Sequence, residues 1–517
     1  MLKAVKFDEN TFSEVAAGHY DEDLGELYHQ FRTVRRCADK VQLGALAQHL
    51  TALGCRLIVV EDPYVDRDFL EDYSAYYVKS FPEYPRYCRR LHFFAHPITE
   101  DTIKKFLDTD GKDIATSLQS SYLGFTVLRP LPGTFVGRTC LKPKPNSATQ
   151  LHDMFLRPYE ANLAGHVFKV NSLAFQEQDK AVAACATSAV WSSLHKVGHM
   201  FGVKVPTPSE ITKLAMRDGP RRGLPSDGLT VDEINQAIRR SGLEVEVREQ
   251  IDDMKALAHG YGQYGIPLIL GLRLFEVDPS KPEESPKRLG MHAVTVTGFS
   301  TTNTGPMGAS FSDRINGLYF HDDQAGPFCH GKLERRIEVN PDTEEPAILW
   351  VLDTDFPPRT AGNKVIGHIR TVTIPVDEMV RIQFEAADQM AKEFCDILLP
   401  LLPADASLEV DIRLTDVNST RAAVGHAIKG AHRNRFLQRN LPRFMWRVTG
   451  RINGTAVFDL ILDATDIYRS FFVTDLIVYD EKLRKAIEDY VDVDANRAEV
   501  EEYSEWGAEW LDLLDEL

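Results

Sequence analysis

The sequence predicts an α+β protein organised in three blocks. In the middle of the chain, helix-period segments come first and strand-period segments follow, rather than alternating as βαβ units would. The first and last thirds each mix both periods. The length of 517 residues, with 43% hydrophobic and 26% charged residues, is ordinary globular usage and suffices for several cores. The expected domains are 1–165, mixed α/β; 166–352, which carries the candidate chemistry; and 353–517, α+β with a basic block and an acidic terminal helix.

The elements follow from local signals. In 38–53, Leu46, Leu50 and Leu53 share one helical face, and Gly54 stops the helix. Residues 56–60 read as a buried strand. Residues 122–128 and 134–141 read as paired strands around Pro130-Leu131-Pro132-Gly133, and 142–147 as a linker. A long helix is expected over 181–201, with Val190, Trp191, Leu194, Val197 and Phe201 on its apolar face. Ser209 is expected to cap a second helix. Thr230-Val231-Asp232-Glu233 is a capping box opening a third helix through Ser241, closed by Gly242. Strands are expected at 244–248, 267–274, 292–299, 317–322 and 348–352. The last block should hold a helix over 377–399 and strands at 407–414, 444–452 and 455–462.

The formal net charge is −17, which argues against general binding of nucleic acid, a process driven by phosphate neutralisation. The charge is uneven. Residues 488–517 hold twelve carboxylates and one base, while 417–458 hold eight bases and no acid. The bases are Arg421, Lys429, Arg433, Arg435, Arg439, Arg443, Arg447 and Arg451, interleaved with Phe436, Phe444 and Trp446. That composition suits nucleic-acid phosphates with stacked bases, and equally a solvated basic face or one paired with acid elsewhere in the chain. In the acidic segment, Tyr503, Trp506, Trp510, Leu513, Leu514 and Leu517 recur at helical spacing. An amphipathic helix is expected there, packed on its own domain, docked on a partner protein or covering the basic block. No run reaches signal-peptide length or the roughly 18 apolar residues of a membrane span, so a cytoplasmic protein without membrane partners is expected. The seven cysteines are scattered and never spaced Cys-x-x-Cys, which fits reduced thiols rather than disulfides or zinc.

One cysteine differs. Cys185 lies at or near the start of the long helix, where the helix dipole favours a thiolate, the nucleophilic form. Ala183, Ala184 and Ala186 would let a substrate backbone approach. Gln178, seven residues upstream, could form an oxyanion hole with the Cys185 N–H. His292 opens an apolar alternating strand and can serve as base. Asp322, ending the next strand, can orient it, with Asp323 as the alternative.

In this order Gln178, Cys185, His292 and Asp322 resemble the papain-like cysteine peptidase superfamily. The segment is most similar to the bacterial branch that cleaves leader peptides for bacteriocin exporters. The resemblance rests on His292-Ala293-Val294-Thr295-Val296-Thr297-Gly298-Phe299, on Gly265 to Ile269, and on Asp322 with Gly326 four residues later. It covers roughly 170–335. It implies a papain-like domain in which Cys185 is the nucleophile, His292 the base, Asp322 the orienting acid and Gln178 the oxyanion donor. It implies a peptide or protein substrate, no cofactor and no metal. Acyl transfer, deamidation or an inert regulatory copy share the fold. Ala186 stands where the family usually has Gly, and Asp323 where Pro commonly follows the Asp. Two metal alternatives are visible. One is the His195/His199 pair four apart on a helix; the other is His321-Asp322-Asp323 with Cys329 and His330.

Overall fold

The computed structural model describes residues 2–13, 15–16, 40–96, 98–108, 112–131, 133–145, 150–179, 181–216, 228–281, 284–302, 310–339, 346–354, 356–403 and 406–517. Cys37, Pro132, Lys180 and the linker positions 146–147 lie outside them. The protein is mixed α and β, in line with the α+β expectation. It divides into two compact units, each assembled from three stretches of chain. The first comprises Met1–Ile251, Gly265–Ser300 and Gly317–Pro375; the second comprises Asp252–Tyr264, Thr301–Asn316 and Val376–Leu517. The expected boundary at 165/166 falls inside the first unit, in a hairpin whose strands Arg157–Leu163 and His166–Ser172 pair with each other. The first block and most of the second therefore share one unit, while 252–264 and 301–316 belong to the other.

The first unit opens with an antiparallel sheet of β1 (Leu2–Lys6), β2 (Cys55–Tyr64), β3 (Cys88–Ala95), β4 (Tyr122–Leu128) and β5 (Val136–Leu141), in that order. Helix α1 (Val41–Ala52) lays Leu43, Leu46 and Leu50 on Ile58, Leu91 and Phe93. All six are fully buried, and each contributes about 1.5–3 kcal/mol by leaving water. The helical repeat of leucines read from the sequence is this contact.

The second sheet of the unit is closed. Strands β6 (Ile269–Val277), β7 (Lys287–Thr302), β8 (Ile315–Asp322), β9 (Gly326–Val339), β10 (Pro346–Thr354) and β11 (Lys364–Val376) pair in sequence, and β11 returns to pair with β6. Two of these strands, β9 and β11, were not expected. The closure has a steric condition at Gly271, where a Cβ would stand 2.3 Å from Thr371 Oγ1.

Helix α2 (Cys185–Phe201) lies on this barrel. Ser193 donates to the Pro267 carbonyl (2.9 Å), and Thr295 donates to the Ala189 carbonyl (2.6 Å). Val190, Trp191, Leu194 and Val197 are buried as its apolar face predicts, and Gly202 ends it in the left-handed region at φ 72°. Its start differs from the expected Ala181. The Asp179 carboxylate accepts from the N–H groups of Ala181 (2.8 Å) and Val182 (2.6 Å), which holds 181–184 as a turn. Cys185 therefore becomes the first helical residue. The next helix, Pro208–Leu214, is capped by Thr207 with Glu210, not by Ser209. Helix α3 (Val231–Arg240) has the expected Thr230/Glu233 capping box.

The second unit is an antiparallel sheet of β12 (Leu408–Asp416), β13 (Phe444–Ile452), β14 (Thr455–Asp463) and β15 (Val473–Val478), with helices α4 (Met254–Gly262) and α5 (Phe384–Leu398) among its own elements. Trp446 is fully buried, donates to the Ile382 carbonyl (2.9 Å) and meets Tyr261 and Phe384 edge to face. The basic block contains two unexpected helices, α6 (Val417–Ala427) and α7 (Gly430–Gln438). They place Val424 and Phe436 on Met445, Ile461 and Ile477. The expected single acidic helix is three: α8 (Glu481–Val491), α9 (Asp494–Tyr503) and α10 (Gly507–Asp515). Trp510, Leu511 and Leu514 are buried, and Trp510 stacks on Phe394. The terminal segment is thus part of the core of its unit.

Candidate active site

The nucleophile candidate is placed by the first sheet. Phe175 pairs with Thr139 on β5, and the Glu177 N–H donates to the Val136 carbonyl (3.0 Å). Lys40 pairs with the Glu177 carboxylate. The buried Arg129 guanidinium donates to the Glu177 carbonyl (2.9 Å) and lies 3.7 Å from Asp179. Asp179 then forms the turn that delivers Cys185 to the helix start. The first-turn N–H groups of a helix have no intrahelical acceptor, so the thiol sits where partial positive charge gathers. Cys185 is half-buried, whereas burial pushes the Cys55, Cys140 and Cys395 thiols up to about 12 and Cys88 well above its usual value.

His292 stands on β7 opposite Leu272 of β6, almost fully buried. Its Nε2 is 3.0 Å from Asp322 Oδ1. The Cys185 thiol favours the charged form of the ring, and both side chains line the same cleft. With Nε2 committed to Asp322, Nδ1 is the ring nitrogen left for the thiol. Phe356 covers the ring edge-on at 5.3 Å. Burial disfavours the imidazolium, but the Asp322 charge and hydrogen bond, Cys185 and Asp323 outweigh it and raise its pKa well above the usual value.

Asp322 ends β8. Its Oδ1 also accepts from the Gln324 N–H (2.9 Å), and its backbone carbonyl accepts from Ala325 (3.1 Å). Against the cost of burial, the charge and hydrogen bond of His292 hold Asp322 below the ordinary carboxylate range. Gly326 opens β9 at φ 153°, and a Cβ there would lie 2.8 Å from Ala45 Cβ. The Asp-to-Gly spacing seen in the sequence is thus a tight turn closed against α1.

Cys185 and His292 line one cleft of about 390 Å³. One wall is Gly228, Leu229, Thr230 and Val231 at the start of α3; the other includes Gly271, Met291 and Thr371. Gln178 is half-buried. The antiparallel bridge between Asp179 and Ala183 sets it across from Ala184, next to Cys185. No hydrogen bond fixes its amide among the described residues, so the structure brings together three of the four expected residues and places the fourth only by its backbone.

Asp323, the alternative acid, lies 3.8 Å from the same His292 Nε2. It is not interchangeable with Asp322, since neither of its oxygens has a hydrogen-bond partner among the described residues. Two residues near it, Gln176 and Ser188, gave no signal in the sequence. Among the described residues, His292, Asp322 and Asp323 form the one group of three whose ligand-type atoms converge, within 4.8 Å. Nε2 engages Asp322, so the group reads as a hydrogen-bonded triad with an extra carboxyl.

The metal alternatives do not assemble. His321 is bonded through Nε2 to the Leu173 carbonyl (3.1 Å), and its Nδ1 accepts from Phe328 N–H (3.1 Å). Cys329 donates to the Gly326 carbonyl, and His330 bonds Ser300. His195 packs edge-on against Trp191 at 4.2 Å. The basic block is largely committed within the second unit. Arg447 pairs with Asp459, Arg451 with Asp411, and Arg439 with Asp475. Phe436, Phe444 and Trp446 are buried, so they do not form an external stacking platform. Acid and base do meet: Lys429, Arg435 and Arg439 share a cavity wall with Glu481 and Glu516. Among the described residues, no helix is long and apolar enough to cross a membrane. No protein-family model matches the sequence, and no curated protein is significantly similar to it.

Proposed function

We propose that the chain is a papain-like thiol hydrolase that cleaves an amide bond of a peptide or protein, with the first unit as its catalytic body. The observation that carries the reading is His292, bonded to the Asp322 carboxylate and lining one open cleft with the Cys185 thiol. The resemblance implies a helix carrying the thiol followed by antiparallel strands carrying the base and acid, and in support α2 packs on antiparallel strands that carry His292 and Asp322.

In this reading His292 takes the thiol proton, giving a thiolate–imidazolium pair. The thiolate attacks the substrate carbonyl carbon, and the oxygen that becomes negative is met by the Cys185 N–H and the Gln178 amide. His292 returns its proton to the leaving nitrogen as the C–N bond breaks. Water, deprotonated by His292, then attacks the acyl-thioester carbonyl. The acid is released and the thiol regains its proton. Asp322 keeps the ring oriented and balances its charge.

Labelling with iodoacetamide near neutral pH tests this first. Cys185 should react selectively among the seven cysteines, and peptide cleavage should vanish in Cys185→Ala. Slow, uniform labelling of all thiols would reject the nucleophile and leave an inert regulatory protein as the reading.

A further inference from the structure

Asp323 is buried beside the site and has no role in the mechanism above. Its side chain is 3% exposed, and Asp322, at 1%, is even less accessible. Three carboxylate oxygens of this pair lack hydrogen-bond partners among the described residues: Asp322 Oδ2, Asp323 Oδ1 and Asp323 Oδ2. One imidazolium can balance one carboxylate. Among the described residues, the neighbouring cations are engaged elsewhere. Glu177, on the loop before α2, is itself acidic and engages Lys40. Arg129 is turned to Asp179 and to backbone carbonyls. His321 has both nitrogens committed, and burial lowers its pKa to about 3, so it is neutral. Gln42 of α1 reaches only the Asp323 backbone carbonyl (3.1 Å). A buried carboxylate without a cation is costly, and taking up a proton removes the cost.

Asp323 also lines a small cavity of about 10 Å³ between α2 and the barrel. That is about the room one water molecule needs, given two to four polar partners. Gln176 and Ser188 line it as well, and Gln176 Nε2 and Ser188 Oγ are buried without partners among the described residues. The wall therefore offers a donor, a hydroxyl and a carboxyl to a single water.

We propose that Asp323 is a second, protonated carboxyl of the candidate site, a positioning residue that sets the charge around His292 and is hydrated internally through Gln176 and Ser188. Burial, with the charges of Asp322 and Glu177, overcomes the pull of His292 and raises Asp323 to about 7. Asp322 moves the opposite way, the usual result when two carboxyls share one site. While Asp323 is neutral, Asp322 alone balances the imidazolium. When Asp323 loses its proton to solvent, a second negative charge 3.8 Å from Nε2 holds the imidazolium proton more tightly. His292 then becomes a weaker proton donor to the leaving nitrogen.

The functional half of this inference rests on the thiol reading; the protonation itself does not. Infrared difference spectra of the full chain between about pH 5 and 9 should show the C=O stretch of a buried carboxylic acid disappearing near neutrality. The band should persist in Cys185→Ala and be missing in Asp323→Asn. In parallel, the rate of iodoacetamide alkylation of Cys185 against pH should show two inflections in the wild type and lose the upper one in Asp323→Asn. No such band in the wild type, or its survival in Asp323→Asn, overturns the proposal. So does a stoichiometric metal in the purified protein that Asp323→Asn releases. If Asp323→Asn fails to fold, Asp323→Glu serves in its place, and a band that this change leaves unmoved overturns the assignment, because Asp68 and Asp72 are also buried carboxyls of raised pKa. A band present while Cys185 alkylates like the other thiols would reject the enzyme reading and keep the proton on Asp323. A reactive Cys185 with no band would do the reverse.

Discussion

Asp322→Asn isolates the electrostatic part of the candidate triad. Asparagine keeps an oxygen acceptor of the same shape toward His292 Nε2, so the ring can stay in place while the charge is lost. At the observed 3.0 Å and an effective dielectric constant of about 20, the charge pair is worth at most about 5.5 kcal/mol, or about four decades in an equilibrium. An opposite charge at this range usually moves a neighbouring group by about 1–3 pKa units, and Asp323 can ionise in partial compensation. The thiolate–imidazolium population near pH 6 should therefore fall by about 100-fold, within about 10- to 1000-fold. The assay is the second-order alkylation rate of the Cys185 peptide, followed by mass spectrometry, with a thermal melt confirming the fold. The deficit should close at alkaline pH, where the thiol ionises without help from His292. A folded variant that alkylates within about threefold of the wild type near pH 6 would refute the ion-pair argument, since that change is below 1 kcal/mol. A deficit independent of pH would point to displaced geometry instead of lost charge.

Four other outcomes follow from packing, charge and burial. Gly271→Ala drives a Cβ to 2.3 Å from Thr371 Oγ1 between β6 and β11. It should cost about 1–3 kcal/mol in urea denaturation and slow Cys185 alkylation, because Gly271 lines the cleft; an unchanged midpoint would show that the barrel yields freely. Trp510→Ala removes a fully buried indole from between Phe394 and Phe471 and should cost about 3–5 kcal/mol. Deleting 488–517 to expose the basic block should accordingly disrupt the second unit, and Glu516→Gln with Glu481→Gln is the milder way to raise anion binding at that cavity. Burial lowers His49 and His92 to about 4 and His321 to about 3. The unfolded chain takes up these protons near pH 6.5, so their stability contribution is complete above that value and is lost as pH falls from about 6.5 to 4. At full effect His49 and His92 each contribute about 3 kcal/mol, and His321, whose loss runs on to about pH 3, about 5 kcal/mol. His292, with its raised pKa, has the opposite sign: its contribution is present below about 6.5 and lost as pH rises through its folded value. Urea midpoints at about pH 7 and 5 should differ in the direction of acid instability; equal midpoints would contradict burial of the neutral rings.

Local signals were legible and long-range ones were not. The Thr230/Glu233 box, the leucine face of α1 and the strand at Phe444–Ile452 each depend on residues a few positions apart. The start of α2 was misplaced because Asp179 competes for the N–H groups of Ala181 and Val182, and aspartate turns leave a weaker pattern than helical alanines. Strand β9 carries Lys332, Glu334, Arg335 and Arg336 and lacks an apolar run, so pairing with β8 and β10 makes it a strand. The basic block hid α6 and α7 because Gly425 and Gly430 interrupt the helical pattern. At the site, residue order was enough to single out Cys185, His292 and Asp322. The Gly326 spacing favoured Asp322 over Asp323, but the buried surroundings of Asp323, with Gln176 and Ser188 lining the same cavity, were not legible, because they come from distant parts of the chain.

The three stretches of chain that form the first unit hold one member of the candidate triad each. Cys185 lies in Met1–Ile251, His292 in Gly265–Ser300 and Asp322 in Gly317–Pro375. Between them the polypeptide twice leaves to build parts of the second unit. During synthesis the thiol emerges 107 residues before its base and 137 before the acid that orients it. A nascent chain or fragment cut within the first excursion would carry the cysteine without its proton acceptor, and one cut within the second would lack the acid that orients the base. Reactivity would then arrive late and all at once, as a property of the finished protein.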